Sequence, residues 1–389
     1  MTKCLIIKTT NNIDNDRLLN DNLITITTMK NLFILLLLFA GMAAQAAKPV
    51  PSDPKATPEA VKLYQKMLTL QQKGMMFGHQ DDLPYGTTWY NVEGRSDVKE
   101  VCGDFPAIFG WELGHLELGH AYSLDSVNFD QIRGWIKKMD KEGAINTISW
   151  HFTNPLTGGT AWDVSSKKTI AAILPGGEKN QLYKQYLDKL AAFMLSLKTD
   201  KGKYIPILFR PFHEHTGSWF WWGKDLCTVA EYKALWRYTV TYLRDTKNIH
   251  HLLYTYSTGG VKNTEEYLER YPGDDLIDIL AFDSYDYGGD FAGGLRNCCQ
   301  IISKIGAEKG KIVAVSEAGG KIAQNPEWWT KTLLETLRPF NMSYVLVWRN
   351  AYKNTKEIAY APEKGCPSEK DFVKFYNDPK TLFLKDITK

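Results

Sequence analysis

The chain has 389 residues, of which 44% are hydrophobic, so it can bury a large core as two ordinary domains or as one α/β barrel. Its formal net charge is only +3, and the 47 basic and 44 acidic residues are spread along the chain. No basic patch typical of a nucleic-acid-binding or membrane-binding protein is therefore expected, and a neutral substrate is compatible with this composition.

The N-terminal 46 residues are expected to be absent from the folded domain. Lys30 precedes an apolar run at residues 32–39, and Ala44 and Ala46 offer small side chains at a cleavage site, so residues 29–46 are predicted to be a signal peptide. The run is too short to span a bilayer comfortably, which predicts export to the periplasm or the extracellular space without a stable membrane anchor. Residues 1–28 are polar and precede Met29, and we expect them to be an upstream extension outside the true product.

The cysteines after the signal peptide give no metal-site pattern. They are Cys102, Cys227, Cys298, Cys299 and Cys366, an odd number, so at least one thiol is expected to be free. No metal and no cofactor is predicted, and we expect a monomer.

From residue 75, short apolar runs alternate with longer amphipathic stretches, the pattern of repeated βα units. Eight runs are found, at residues 75–80, 107–114, 144–152, 204–214, 251–257, 278–286, 311–319 and 343–350. We therefore predict a (β/α)8 TIM barrel as a single catalytic domain over residues 75–389, with a lead-in and first helix at 47–74. A doubly wound sheet is the alternative.

Two of these runs have a glutamate at or near the carboxyl end. Glu214 closes the fourth run, Glu317 ends the apolar segment 312–317 of the seventh, and the carboxyl ends of barrel strands converge on one mouth. Two carboxyl groups across such a mouth suit glycoside hydrolysis, in which one protonates the leaving oxygen and the other attacks the anomeric carbon or activates water. A salt bridge or a helix cap is the alternative for either residue. Aromatic-rich loops at 153–180 and 215–228 favour a sugar cleft.

The segment around Glu214 carries a more specific signal. Residues 210–222, RPFHEHTGSWFWW, resemble the acid/base segment of the β-mannanases of glycoside hydrolase family 26. Residues 77–81 (FGHQD), 149–151 (SWH), 282–285 (FDSY) and 316–319 (SEAG) resemble further blocks of that family, in the same order. The resemblance covers most of the chain from residue 75 to residue 350.

This resemblance implies roles for four residues around the reacting bond. Glu214 would be the acid/base and Glu317 the nucleophile, with retention through a covalent mannosyl-enzyme intermediate. His213 would orient the nucleophile, and Tyr285 would hydrogen-bond the nucleophile or the ring oxygen. For Tyr285 a purely structural hydrogen bond is the alternative.

The resemblance also implies sugar contacts. His151 and Trp219 would contact sugars near the cleavage point, and Trp348 would form the platform under the mannose being cleaved. Trp162 and Arg349 would belong to outer subsites. A core position is the alternative for Trp348 and for His151.

Two features of the sequence complicate this interpretation. On a regular strand His213 and Glu214 face opposite sides, so both reach the site only if the strand bends or ends there. His213 and His215 would share one face and raise the alternative of a shared metal ion, although no third ligand is evident. In addition, Glu112 stands where the family commonly has an Asp, and its longer side chain is either structural or narrows a subsite.

The sequence thus predicts a retaining β-1,4-mannanase acting on mannan, galactomannan or glucomannan, with this β-mannan as its only expected partner. An exo-acting mannobiohydrolase is the main alternative. A related β-glucanase and a non-catalytic glycan-binding barrel are the others.

Overall fold

The computed structural model describes residues 49–388, except 321, 323, 324 and 354–358. The predicted upstream extension at 1–28 and the predicted signal peptide at 29–46 lie outside the described residues, and both stay predictions. In the described part of the chain, no helix combines the length and the apolar character that crossing a bilayer requires. The five cysteines there are free thiols.

Eight parallel strands form a closed barrel. The strands are β1 (Met75–Gln80), β2 (Ile108–Glu112), β3 (Ile145–Ser149), β4 (Ile207–Arg210), β5 (Leu252–Thr258), β6 (Ile279–Asp286), β7 (Ile312–Gly320) and β8 (Tyr344–Val347). Each strand pairs with the next along the chain, and β1 pairs with both β8 and β2, which closes the barrel. The predicted TIM barrel is confirmed, and the doubly wound alternative is wrong.

Helices precede, connect and follow the strands. They are α1 (Pro58–Lys73), α2 (Asp97–Cys102), α3 (Phe129–Lys141), α4 (Thr169–Ile173), α5 (Asn180–Ser196), α6 (Val229–Thr241), α7 (Thr264–Leu268), α8 (Phe291–Lys309), α9 (Glu335–Leu337), α10 (Glu369–Tyr376) and α11 (Leu384–Ile387). Short 3₁₀ turns lie at Leu116–Leu118 and Asp274–Leu276, and π-helical turns at Tyr242–Thr246 and Trp328–Leu334. This helical layer covers the outside of the sheet.

The strands are buried on both faces, which explains their nearly continuous apolar sequences. All nine residues of β7 are buried, because helices cover one face of the sheet and the barrel interior covers the other. A ninth strand, β9 (Thr381–Leu382), was not predicted and pairs with Met75 and Met76 at the start of β1. With only two residues, β9 is too short for its sequence to reveal an apolar period.

Candidate active site

One cavity of about 740 Å³ opens at the carboxyl ends of the strands. All nine residues predicted from the sequence to form the site line it: His151, Trp162, His213, Glu214, Trp219, Tyr285, Glu317, Trp348 and Arg349. They lie near or beyond the carboxyl ends of β3, β4, β6, β7 and β8, so barrel closure brings together residues nearly 200 positions apart.

Strand β4 ends earlier than the sequence predicts. The predicted run extends to Glu214, but the strand ends at Arg210, and Phe212 and Glu214 adopt left-handed backbone angles, with φ of 51° and 52°. The carbonyl of His213 accepts a hydrogen bond from Trp222 Nε1 at 2.8 Å, which helps to fix this irregular segment. Because the chain turns here, His213 and Glu214 both face the cavity.

Glu214 is half-buried and its surroundings favour the protonated acid. Burial raises its pKa well above the usual value, and the negative charges of Asp283 and Glu317 raise it further. Trp219 Nε1 donates to Glu214 Oε2 at 2.6 Å and opposes this shift without cancelling it. The carboxyl group can therefore carry a proton close to neutral pH, as a general acid must.

Glu317 lies within β7 and is held by hydrogen-bond donors. Arg210 Nη2 donates to Oε1, and the Tyr285 hydroxyl donates to Oε2 at 2.6 Å. His213 Nε2 lies 3.8 Å from Oε1, beyond hydrogen-bond length. The predicted contact from Tyr285 is thus present, whereas the predicted orientation of Glu317 by His213 is not a hydrogen bond in this structure.

Sequence reasoning assigned no role to Asp283 or Arg210. Arg210 Nη1 donates to Asp283 Oδ2 at 3.0 Å, while Ser257 and Ser316 donate their hydroxyls to Oδ1 at 2.9 and 2.6 Å. Burial raises the pKa of Asp283 to about 7; the Glu317 charge adds to this effect, and Arg210 opposes it. Arg210 and Asp283 both lie in segments that resemble family 26, at residues 210–222 and 282–285, and this resemblance could have identified them as candidate site residues.

Three carboxylates meet in this cavity. One oxygen from each of Glu214, Asp283 and Glu317 lies within 4.8 Å of the other two, and among the described residues this is the group able to ligate a metal ion. Arg210 already donates to two of the three and supplies a positive charge among them.

The sequence alternative of a metal shared by His213 and His215 is not supported by the structure. The ring of His215 is buried between Tyr232 and Tyr256, with ring centres 4.4 and 4.8 Å away. Its ring nitrogens make no hydrogen bond, and burial, with a smaller effect of Arg270, lowers its pKa well below the usual value.

The buried carboxylate of Glu112 contacts both the ring and the backbone of His151. Glu112 Oε2 lies 2.7 Å from His151 Nδ1, and the backbone N–H groups of His151 and Gly114 donate to Oε1 at 2.7 and 2.6 Å. Burial disfavours the charged form of each side chain, but the attraction between the Glu112 carboxylate and the His151 imidazolium outweighs this effect. The pKa of Glu112 therefore falls to about 2, and the pKa of His151 is raised. The longer side chain of Glu112 is therefore structural and does not line the cavity.

His151 also contacts a second histidine, His213. His213 Nε2 lies 2.9 Å from His151 Nε2. Burial lowers the pKa of His213 well below its usual value, and the nearby charges of Arg210 and His151 lower it further. A hydrogen bond between the two rings needs a proton on only one of the two facing nitrogens.

Aromatic side chains form the walls of the cavity. Trp219 and Trp162 are 47% and 49% exposed, so their ring faces are available to a ligand. Trp162 stacks on His151 with ring centres 5.3 Å apart and an interplanar angle of 8°. Trp348 follows β8, is half-buried and lines the cavity, while its buried part packs against the core. At the rim, Arg349 Nε lies 3.1 Å from Asp125 Oδ1.

Comparison with known proteins places this arrangement in a family. Residues 52–363 match the model for glycosyl hydrolase family 26. A mannan endo-1,4-β-mannosidase from Bifidobacterium adolescentis is 35% identical over 357 residues, which cover 85% of this chain but only 35% of that longer protein.

Solved structures agree with this match. A family 26 β-mannanase from Bacteroides ovatus is 44% identical with a TM-score of 0.83, covering 86% of this chain and 98% of that chain. The catalytic domain of a family 26 endo-β-1,4-mannanase from Bacillus sp. JAMB-750 is 32% identical with a TM-score of 0.81, covering 87% of this chain and 94% of that chain. The resemblance seen in the sequence is confirmed: the chain belongs to glycosyl hydrolase family 26.

Proposed function

We propose that this protein is a retaining β-1,4-mannanase that hydrolyses mannan, galactomannan or glucomannan, with Glu214 as acid/base and Glu317 as nucleophile. The proximity of the two carboxyl groups carries the proposal, because oxygens of Glu214 and Glu317 lie within 4.8 Å of each other. Retaining glycosidases hold this pair about 5–5.5 Å apart, whereas inverting enzymes need about 6.5–9.5 Å to fit a water.

The electrostatics of the site support a division of roles. Glu214, with its raised pKa, protonates the glycosidic oxygen. Glu317 receives hydrogen bonds from Arg210 and Tyr285, which orient it for attack on the anomeric carbon. After the leaving fragment departs, Glu214 is a carboxylate that activates water to hydrolyse the covalent intermediate.

The neutral polysaccharide substrate fits the walls of the cavity. The exposed faces of Trp162 and Trp219 suit the apolar faces of pyranose rings, and the half-buried Trp348 suits the platform under the sugar being cleaved. Mannan is the substrate named for the relatives from Bifidobacterium adolescentis and Bacteroides ovatus. The specificity for mannose over glucose is part of the proposal.

Hydrolysis of linear mannan, beside mixed-linkage glucan and xylan, tests the substrate. Proton NMR of the first product tests the mechanism, because retention releases the β-anomer first. Early release of the α-anomer would contradict retention, and faster cleavage of the glucan would contradict the substrate. A ladder of oligomers in the first minutes indicates endo action, whereas mannobiose alone indicates the exo-acting alternative.

We also propose that the protein is exported through the signal at residues 29–46, without a stable membrane anchor, and acts as a monomer. N-terminal sequencing of the exported protein tests the first point, and a mature chain beginning before residue 29 would contradict it. Light scattering coupled to size-exclusion chromatography tests the second.

A further inference from the structure

Three exposed tyrosines lie on the catalytic face, outside the lining of the cavity. Tyr90 follows β1, Tyr122 follows β2 and Tyr352 follows β8, with 39%, 53% and 37% of their surfaces exposed. Strands β8, β1 and β2 are neighbours in the barrel, so the loops after them emerge side by side. We call Tyr90, Tyr122 and Tyr352 the outer tyrosine surface.

The rings of this surface lie close together. The ring centres of Tyr90 and Tyr352 are 5.5 Å apart. The hydroxyl of Tyr90 bonds to the carbonyl of Ser126, which lies in the short loop between Tyr122 and its bridge partner Asn128, so this loop and Tyr90 are neighbours. The ammonium group of Lys353 lies 5.1 Å from the ring centre of Tyr352.

Backbone contacts hold the segments that carry Tyr90 and Tyr122, and a side-chain hydrogen bond holds the ring of Tyr90. Tyr90 forms an antiparallel bridge with Tyr85, and its hydroxyl donates to the carbonyl of Ser126 at 2.6 Å. Tyr122 forms a similar bridge with Asn128. The ring of Tyr90, which its hydroxyl already fixes, loses little conformational freedom when a ligand stacks on it, so binding there costs less.

The outer tyrosine surface adjoins the end of the cavity. Ser126, which accepts from Tyr90, follows Asp125, and Asp125 pairs with Arg349 in the cavity lining. Tyr352 comes three residues after Arg349. A polymer leaving the cavity past Arg349 therefore meets these rings next.

The position of the acid gives the direction of that polymer. Glu214 and Trp219 follow β4, and Gly259 follows β5, on the side of the barrel away from β8, β1 and β2. The acid protonates the oxygen of the leaving fragment, so this fragment, on the reducing-end side, lies toward β4 and β5. The outer tyrosine surface then faces the non-reducing side.

We propose that the outer tyrosine surface binds mannosyl units on the non-reducing side of the scissile bond, beyond Arg349, and so favours long chains over short ones. This inference rests on the proposed mannanase function. Tyrosine rings with a hydroxyl at one edge suit a neutral pyranose, since the face packs on its C–H groups and the hydroxyl can bond to its oxygens. Continuity with the cavity selects the mannan backbone as the occupant.

The experiment compares kcat/KM on mannohexaose with kcat/KM on 4-nitrophenyl β-mannobioside, which places only two sugars on the non-reducing side. For Tyr122→Ala, and for Tyr122→Ala combined with Tyr90→Ala, we expect the ratio of the two values to fall by about three- to tenfold per ring. Tyr122→Phe keeps the ring and is expected to retain most of the ratio. Val92→Ala, an exposed aliphatic residue on the loop that carries Tyr90, is the matched control and should leave the ratio unchanged.

The outcomes separate the two proposals. An unsubstituted protein without activity on either mannoside would overturn the proposed function. An active protein whose ratio stays unchanged in the Tyr122→Ala and Tyr90→Ala variants would overturn only the outer tyrosine surface. Thermal unfolding of each variant shows whether a loss on both substrates comes from misfolding; since Tyr122 is 53% exposed, we expect its removal to leave the unfolding temperature nearly unchanged.

Discussion

The two glutamates of the cavity are held in different ways by the two sides of the barrel. Glu317 lies within β7, is buried, and receives hydrogen bonds from Arg210 and Tyr285. Glu214 lies four residues beyond the end of β4, is half-buried, and accepts a side-chain hydrogen bond from the exposed Trp219.

This difference matches the demands of the proposed roles. A nucleophile must point at one carbon atom, and a rigid strand with fixed donors provides that orientation. An acid/base exchanges its proton twice in a catalytic cycle, and a carboxyl at the edge of the cavity, with its pKa raised by burial and by neighbouring charges, suits this task. The following predictions test this contrast, beginning with the largest expected effect.

Glu317→Ala is expected to lower mannan hydrolysis by about 10⁴-fold or more, because the attacking group is removed. Azide added to this variant should restore turnover of a mannoside with a good leaving group, and NMR should identify the product as the α-mannosyl azide, since azide enters from the vacated face. A variant that keeps activity within tenfold of the unsubstituted protein would show that Glu317 is not the nucleophile.

Glu214→Ala is expected to lower mannan hydrolysis by about 10³-fold, because the leaving oxygen is no longer protonated. On a 2,4-dinitrophenyl β-mannoside, whose leaving group needs no proton, the first step should be far less affected and a burst of dinitrophenol should appear. Azide should here give the β-mannosyl azide. Equal losses on both substrates would contradict the acid/base role.

Arg210→Lys is expected to lower kcat by about 10- to 100-fold with a small change in KM. Lysine keeps the charge but cannot donate to Asp283 and Glu317 with the fixed fork of a guanidinium group. Steady-state kinetics test this, with thermal unfolding as the check on folding. A variant with unchanged kcat would show that Arg210 only balances charge.

Trp219→Phe is expected to lower kcat/KM by about threefold and to move the basic limb of its pH profile upward. The Trp219 N–H stabilises the ionised form of Glu214 and lowers its pKa, so its loss raises that pKa. The acid must be protonated to act, and activity then persists to higher pH. A basic limb that stays in place or moves downward would contradict this account.

The sequence was sufficient to predict which residues lie at the carboxyl ends of the barrel strands. The end of a strand can be predicted from nearby residues, because an apolar run stops where the side chains leave the core. In a barrel, the carboxyl ends of all strands lie on one face. Glu317, near the carboxyl end of a buried run, was recognised in this way. Glu214 was recognised as well, although its predicted run extended four residues beyond the end of the strand.

Local geometry near the site was harder to predict. The left-handed angles of Phe212 and Glu214 lie at residues that do not favour them, so their sequence gave no turn signal. In β7 the register shifts between Val315 and Glu317, where Asp283 of β6 pairs with Glu317. Such a bulge depends on the partner strand, and a single strand sequence does not show it.

The sequence by itself determined that this protein is a (β/α)8 barrel of family 26 with two glutamates and a set of aromatic residues at one mouth, because periodicity and motif order are properties of the chain. Only the tertiary structure decided how Glu317 is held. Arg210 meets Asp283 and Glu317, which lie 73 and 107 residues away along the chain, only when β4, β6 and β7 take their places in the closed barrel. Those hydrogen bonds depend on distances between strands, and no local pattern encodes such distances.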